Sequence, residues 1–207
     1  MTKTINQSTY DIEESVLNQM PLTLNQLPTP ISEFSLLRES ILTNETMVKH
    51  GFPGKTESDY KRIGRLIGYL REFASPSAIP QTNEGADVVA ATVVHLFEDE
   101  QGPEKWMNEI FVQQFMDNIG KNIGETQKLI SVEKLIFNSF YNEAVGIRAI
   151  QDGEEGILST TVIDFRIGRI LGVSFVVTIG DCYRTKLSTI LGLELEKNII
   201  RKILDTR

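Results

Sequence analysis

GILSTTVIDFRIGRILGVSFVVTIG, residues 156–180, is the densest run of β-branched residues in the chain, and its reading decides the fold. Val, Ile, Thr and Phe favour a pleated, half-buried backbone, and a glycine inside such a run marks a reversal. The stretch therefore predicts a β-hairpin turning at Ile167-Gly168. With those two residues as the loop, Arg166 opposes Arg169, and pairing runs outward as Asp164–Leu171, Val162–Val173, Thr160–Phe175 and Leu158–Val177. One face is then apolar far from the turn and charged at the tip. The other carries Ile163, Phe165 and Ile170 near the turn but Ser159, Thr161, Ser174 and Thr178 further away. A ribbon whose apolar side changes along its length is either covered on opposite faces at its two ends or offers an apolar patch at its tip. Two facing arginines repel unless an anion lies near them. Asp164, diagonal to Arg169, supplies one from within the chain; an anionic ligand or acidic partner is the alternative.

On the C-terminal side, Leu187, Leu191, Leu195, Ile199 and Ile203 recur every four residues, the ridge of a helix that can cover the hairpin's base. Asp181 reads as its N-cap, and Gly192 marks a close approach or a break. On the N-terminal side, strands are expected at 129–137 and 143–150, with a turn over 151–156. A helix beginning at Gly102-Pro103 buries Trp106, Met107, Ile110, Phe111, Phe115 and Ile119, and 86–97 is a strand. Thr56 and Asp59 form a capping box opening another helix. A short helix over 43–50 starts at Asn44, and 34–42 is a strand. Residues 75–85, with Pro76 and Pro80, form a long loop of the kind that serves as lid or rim. Residues 1–30 are polar and end in Pro21, Pro28 and Pro30, so they read as a tail ahead of one α+β domain over 31–207.

The heptapeptide RIGRLIG at 62–68 recurs as RIGRILG at 166–172. An internal duplication would place a turn near Gly64 and a strand from Leu66; without it, one helix runs on to Phe73. The order of elements gives an antiparallel sheet with helices mainly on one face. In GRLIGYLREF, VVHLFEDEQGPEKWMNEIF, NEAVGIRA and DFRIGRILGVSFVV, the chain resembles bacterial extracytoplasmic lipoprotein-type domains with a PsbP-like fold. That resemblance covers about residues 31–205 and implies a non-catalytic binding or accessory module, with no catalytic residue to carry over.

Composition bounds the function. The 207 residues are 41% hydrophobic, enough for a sizeable core, and the net charge is −7 without a long basic run, which argues against nucleic acid as partner. Cys182 is the single cysteine, so there is no internal disulfide and no cysteine-rich zinc site. No apolar run approaches a membrane span, and the first twenty residues lack a signal-peptide core. As given, the chain is expected in the cytoplasm, or outside it if a signal segment has been removed.

Few residues carry chemistry. Cys182 would lie in the first turn of the last helix, where the dipole favours a thiolate, but Asp181 opposes this and no histidine is near in sequence. His95 shares a strand face with Val93 and Phe97, and a metal there would need ligands beyond His50, which lies in another region. Glu98, Asp99 and Glu100 precede a helix N-terminus without EF-hand spacing. The glycines match neither a P-loop nor a dinucleotide fingerprint, so no cofactor is implied. The sequence thus supports a non-catalytic ligand- or partner-binding domain, its surface formed by Ile163, Phe165, Arg166, Arg169 and Ile170 with the 75–85 loop. Its partner is a protein, a small molecule or a second copy of the chain. The alternatives are a structural subunit docked through residues 1–30, or an enzyme using Cys182 or His95.

Overall fold

A computed structural model describes residues 3–52, 54–76, 83–123, 127–153 and 156–206. The β-branched run folds as two long strands at the middle of a sheet. Among the described residues the strands are β1 (Ser35–Leu42), β2 (Arg65–Ala74), β3 (Asp87–Phe97), β4 (Asn122–Ile123), β5 (Gln127–Phe137), β6 (Ala144–Gly153), β7 (Gly156–Ile167) and β8 (Ile170–Ile179). They form one antiparallel sheet in the order β1-β2-β3-β8-β7-β6-β5-β4, so the fold is α+β.

The hairpin pairs one step away from the expected register. Ile167 opposes Ile170, Arg166 opposes Leu171 and Asp164 opposes Val173, which makes Gly168-Arg169 the loop. Gly168 has φ +53°, and among the described residues only glycines take a positive φ, the geometry of a turn that demands glycine at its first central position. Moving the turn by one residue shifts the pairing sum by two, so each side chain keeps its expected face. Ile163, Phe165, Ile167 and Ile170 share one face; Val162, Asp164, Leu171 and Val173 share the other.

Both faces are covered along their length. Helix α6 (Thr185–Asp205) lies on the first, with Leu187, Leu191, Leu195, Ile199 and Ile203 all buried. Gly192 does not break it; the helix backbone approaches Ser174 and the Phe140 ring there. Asp181 pairs with Arg148 instead of capping α6, and helix begins only at Thr185, so Cys182 lies outside it. The rest of this face is closed by the N-terminal segment. Expected as a polar tail, it starts with α1 (Ile5–Ser8), continues through short 3-10 turns and buries Ile12, Leu17, Met20, Leu22, Leu27 and Ile31 in the core. Its irregular backbone needs partners that no ladder supplies. Leu22 N–H donates to Thr92 Oγ1 at 3.1 Å, and Asn198 Nδ2 donates to the Met20 carbonyl at 2.7 Å. Arg71 Nη1 donates to the carbonyls of Pro21 and Leu22 at 3.0 and 3.2 Å.

The opposite face carries the shorter helices α2 (Asn44–His50), α3 (Glu57–Arg62), α4 (Gln101–Lys105) and α5 (Val112–Asp117). Thr43, one residue before the expected Asn44, caps α2 by accepting from Thr46 N–H at 3.1 Å. The capping box of Thr56 and Asp59 opens α3 as expected. Asp99 of the acidic cluster accepts from the N–H groups of Gln101 and Gly102, which ties it to the start of α4.

The recurring heptapeptide does two jobs in each copy. Its first glycine makes a positive-φ turn into a strand, at Gly64 (+73°) and Gly168 (+53°). Its second lies opposite a ring on the neighbouring strand, Gly68 facing His95 and Gly172 facing Phe165. A Cβ at either glycine would overlap that ring. What precedes the turn differs, α3 in one copy and β7 in the other.

Candidate functional site

The apolar part of the expected site lies inside the molecule, and its two arginines are half-buried. Ile163, Phe165 and Ile170 are fully buried, and the Phe165 ring stacks on Phe140 with centroids 4.9 Å apart. The chain itself therefore closes the apolar patch at the hairpin tip. Arg169, in the turn, donates to the carbonyls of Thr9 (3.0 Å), Ile12 (2.8 Å) and Phe97 (3.1 Å), so its guanidinium docks the N-terminal segment. Arg166 faces Glu143, Nε to Oε2 at 3.3 Å, at a half-buried position. Within the 75–85 loop, residues 77–82 lie outside the described residues; Gly85 N–H donates to the Ile179 carbonyl at 2.9 Å.

The other face of the same hairpin borders a cavity. Between α4 and α5 the chain takes one wide π-helical turn, Trp106–Phe111, which buries Trp106, Met107 and Phe111. Single π-helical turns of this kind are frequent at functional sites. Under them, between α2, α3, α5 and the sheet, lies a cavity of about 400 Å³ with mostly apolar walls, among them Phe52, Tyr60, Leu70, Trp106, Val173 and Phe175. Its volume falls toward the lower end of the range for ligand pockets, about 300–1,000 Å³.

Arg38, Ser40, Thr46, His50, Gln151 and Thr160 also line it, and three further polar groups have buried atoms there. Asp164, 1% exposed, accepts from Trp106 Nε1–H through Oδ2 at 2.8 Å, while its Oδ1 is buried without a hydrogen-bond partner. Burial pushes its carboxyl up to about 8, the Trp106 hydrogen bond acting weakly in the opposite direction. His95, 3% exposed, packs its ring 5.8 Å from the Trp106 ring and holds Nδ1 3.0 Å from Arg65 Nη2. A guanidinium only donates, so Nδ1 accepts and the imidazole is neutral with its proton on Nε2. Burial, then the Arg65 charge, holds His95 well below the usual histidine range. The third group, Gln114 Nε2, is buried and unpaired as well.

Behind His95, Arg65 is 2% exposed and donates to Asn44 Oδ1 (2.6 Å) and the Leu42 carbonyl (2.8 Å). No carboxylate pairs with it among the described residues, and burial lowers it to about 10. His50 and His95 both line the cavity, yet among the described residues no three His, Cys, Asp or Glu side chains converge as metal ligands. Cys182 is half-buried on the opposite face, its N–H donating to Ser159 Oγ at 3.2 Å and its carbonyl accepting from Arg148 Nε at 3.0 Å.

No protein-family model and no curated protein matches the chain. Among solved structures, the extracellular domain of PknH from Mycobacterium tuberculosis superposes with a TM-score of 0.60 over 92% of this chain and 97% of that one, at 10% sequence identity. The two share a fold. At that identity the likeness extends to architecture alone, and the cavity is described from this chain's own residues. No helix among the described residues is long and apolar enough to cross a membrane.

The local sequence pattern does not bring Asp164, Trp106 and Arg65 together: it sets Asp164 beside Arg169, Trp106 on a buried stripe and Arg65 in the repeat. The available signal was a lone acid in VIDF, on the same face as Val162, where a half-buried strand ordinarily carries an apolar residue.

Proposed function

We propose that this chain is a non-catalytic binding domain that takes a small, mostly apolar ligand into the cavity beneath Trp106. The observation that carries the reading is the Asp164 carboxyl, 1% exposed with Oδ1 unpaired at a mostly apolar wall. An orphaned buried polar atom costs about 1–3 kcal/mol, which a ligand's polar group recovers on binding. The neighbouring chemistry favours binding over turnover: His95 is neutral, its Nδ1 is taken by Arg65, and Cys182 sits on the far face of the sheet. By analogy with the structural neighbour, which is an extracellular domain, we propose a place outside the cytoplasm.

Trp106 is the chain's only tryptophan, so its emission reports on the cavity alone. Titration with the aromatic dye 1-anilinonaphthalene-8-sulfonate should give saturable one-to-one energy transfer from Trp106. A Val93→Phe/Val173→Phe variant that fills the cavity, and retains a cooperative melt, should lose it. Non-saturable transfer, or full transfer in the filled variant, would refute the reading.

A further inference from the structure

The unpaired groups around the cavity agree about what they want from a ligand. Gln114 Nε2 is a donor. The Asp164 carboxyl, raised to about 8 by burial, keeps its proton at neutral pH, so with Oδ2 accepting from Trp106 the orphaned Oδ1 is the hydroxyl and offers a proton. His95, with Nδ1 accepting from Arg65, presents Nε2–H. Arg65 is a buried cation without an acidic partner among the described residues, one imidazole away from the cavity wall. A buried charge left unpaired is strongly unfavourable, and an anion nearby relieves it. The remaining ionisable wall groups do not reverse this sign: Arg38 is held by Glu72, burial raises Tyr60 so its phenol stays neutral, and His50 is exposed.

Resting on the cavity being the ligand site, we infer that its ligand is an apolar monocarboxylate whose carboxylate accepts hydrogen bonds from Asp164 Oδ1–H and His95 Nε2–H, with the Arg65 charge behind the imidazole. Trp106 contacts both donors, and the apolar tail lies along the wall of Leu70, Phe115, Val173 and Phe175. Gly68 is part of the device, because a Cβ there would displace the His95 ring from the Arg65 guanidinium. An ammonium head would meet donors and a buried cation, and a neutral alcohol would leave the Arg65 charge uncompensated.

Three ligands with one tail and different heads separate the outcomes: decanoate, decanol and decylamine, titrated by calorimetry into the full chain below their micelle concentrations. Decanoate should bind about 10-fold or more tighter than decanol, the change expected for a hydrogen bond to a charged group, and decylamine should bind most weakly. Asp164→Asn, which still donates, should retain most of the preference. Asp164→Leu and His95→Phe should each bring decanoate down to the level of decanol. Decylamine binding as tightly as decanoate, or decanoate binding unchanged in both Asp164→Leu and His95→Phe, would overturn the assignment. Equal binding of all three heads would overturn it and leave the cavity as a ligand site. Failure of the dye and of all three heads to bind would remove both.

Discussion

Asp164→Asn isolates the titration of one buried carboxyl. An unfolded aspartate titrates near 3.8 and the folded group near 8, so folding favours its protonated form. For a group whose folded pKa is raised, the stabilisation is complete below the unfolded value and is lost as pH rises through the folded one. His95 runs the other way. Its folded pKa is depressed, so its contribution is present above about 6.5 and lost as pH falls through the folded value. Above about pH 6.5 an unfolded histidine becomes mostly neutral as well, so from there to about pH 8 the His95 contribution levels off while that of Asp164 falls. Each pH unit is worth about 1.4 kcal/mol, so the native chain should lose about 2 kcal/mol across that window. Asp164→Asn keeps an acceptor for Trp106 Nε1–H and does not titrate. Urea unfolding followed by Trp106 emission, at steps through the window, gives both curves, and their difference removes His95 and every other shared group. The variant should gain about 2 kcal/mol on the native chain between the two ends. A difference that stays flat would refute the claim that Asp164 is buried and protonated at the cavity wall.

Three other substitutions test the packing that locates the site. Phe165→Ala empties a fully buried position under the N-terminal segment and should destabilise by about 3–5 kcal/mol in urea, while dye transfer from Trp106 is retained under native conditions. Arg169→Ala removes three side-chain hydrogen bonds to backbone carbonyls; a loss of about 2–4 kcal/mol is expected, with hydrogen-exchange protection falling first near Thr9 and Ile12. Gly172→Ala drives a methyl group into the Phe165 ring and should lower the urea midpoint by the equivalent of about 1–3 kcal/mol.

The hairpin was legible because alternation assigns faces whatever the loop, and a register error of one turn position leaves that assignment intact. The turn itself was not, since RIGRI accommodates glycine as either central residue and only the backbone requirement for positive φ at the first one decides. The ridge of α6 was readable from its spacing of four. The role of the segment over 3–30 was hidden for a different reason. Its buried residues, Ile12, Leu17, Met20, Leu22 and Leu27, sit on 3-10 turns and extended links with no single period, and its backbone is satisfied by Arg71, Arg169 and Asn198, which lie far away in sequence. With the segment read as a tail, the hairpin tip appeared uncovered, and the site was placed on Ile163, Phe165 and Ile170. The cavity on the other face depends on contacts of the same long range. Trp106 meets Asp164, 58 positions on, and Arg65 meets His95, 30 positions on. Strand alternation puts Asp164 and Val162 on one face; it does not say which helix lies above them.

The claim that the ligand site is the cavity under Trp106 is tested most directly by nitrogen–proton correlation spectra of the full chain titrated with decanoate. The single indole resonance of Trp106 and the amides of Val93, His95, Val162 and Val173 should shift together and saturate, with the amides of Ile163, Phe165 and Ile170 moving less. Shifts centred on the 163–170 tip, or none at the indole, would contradict it.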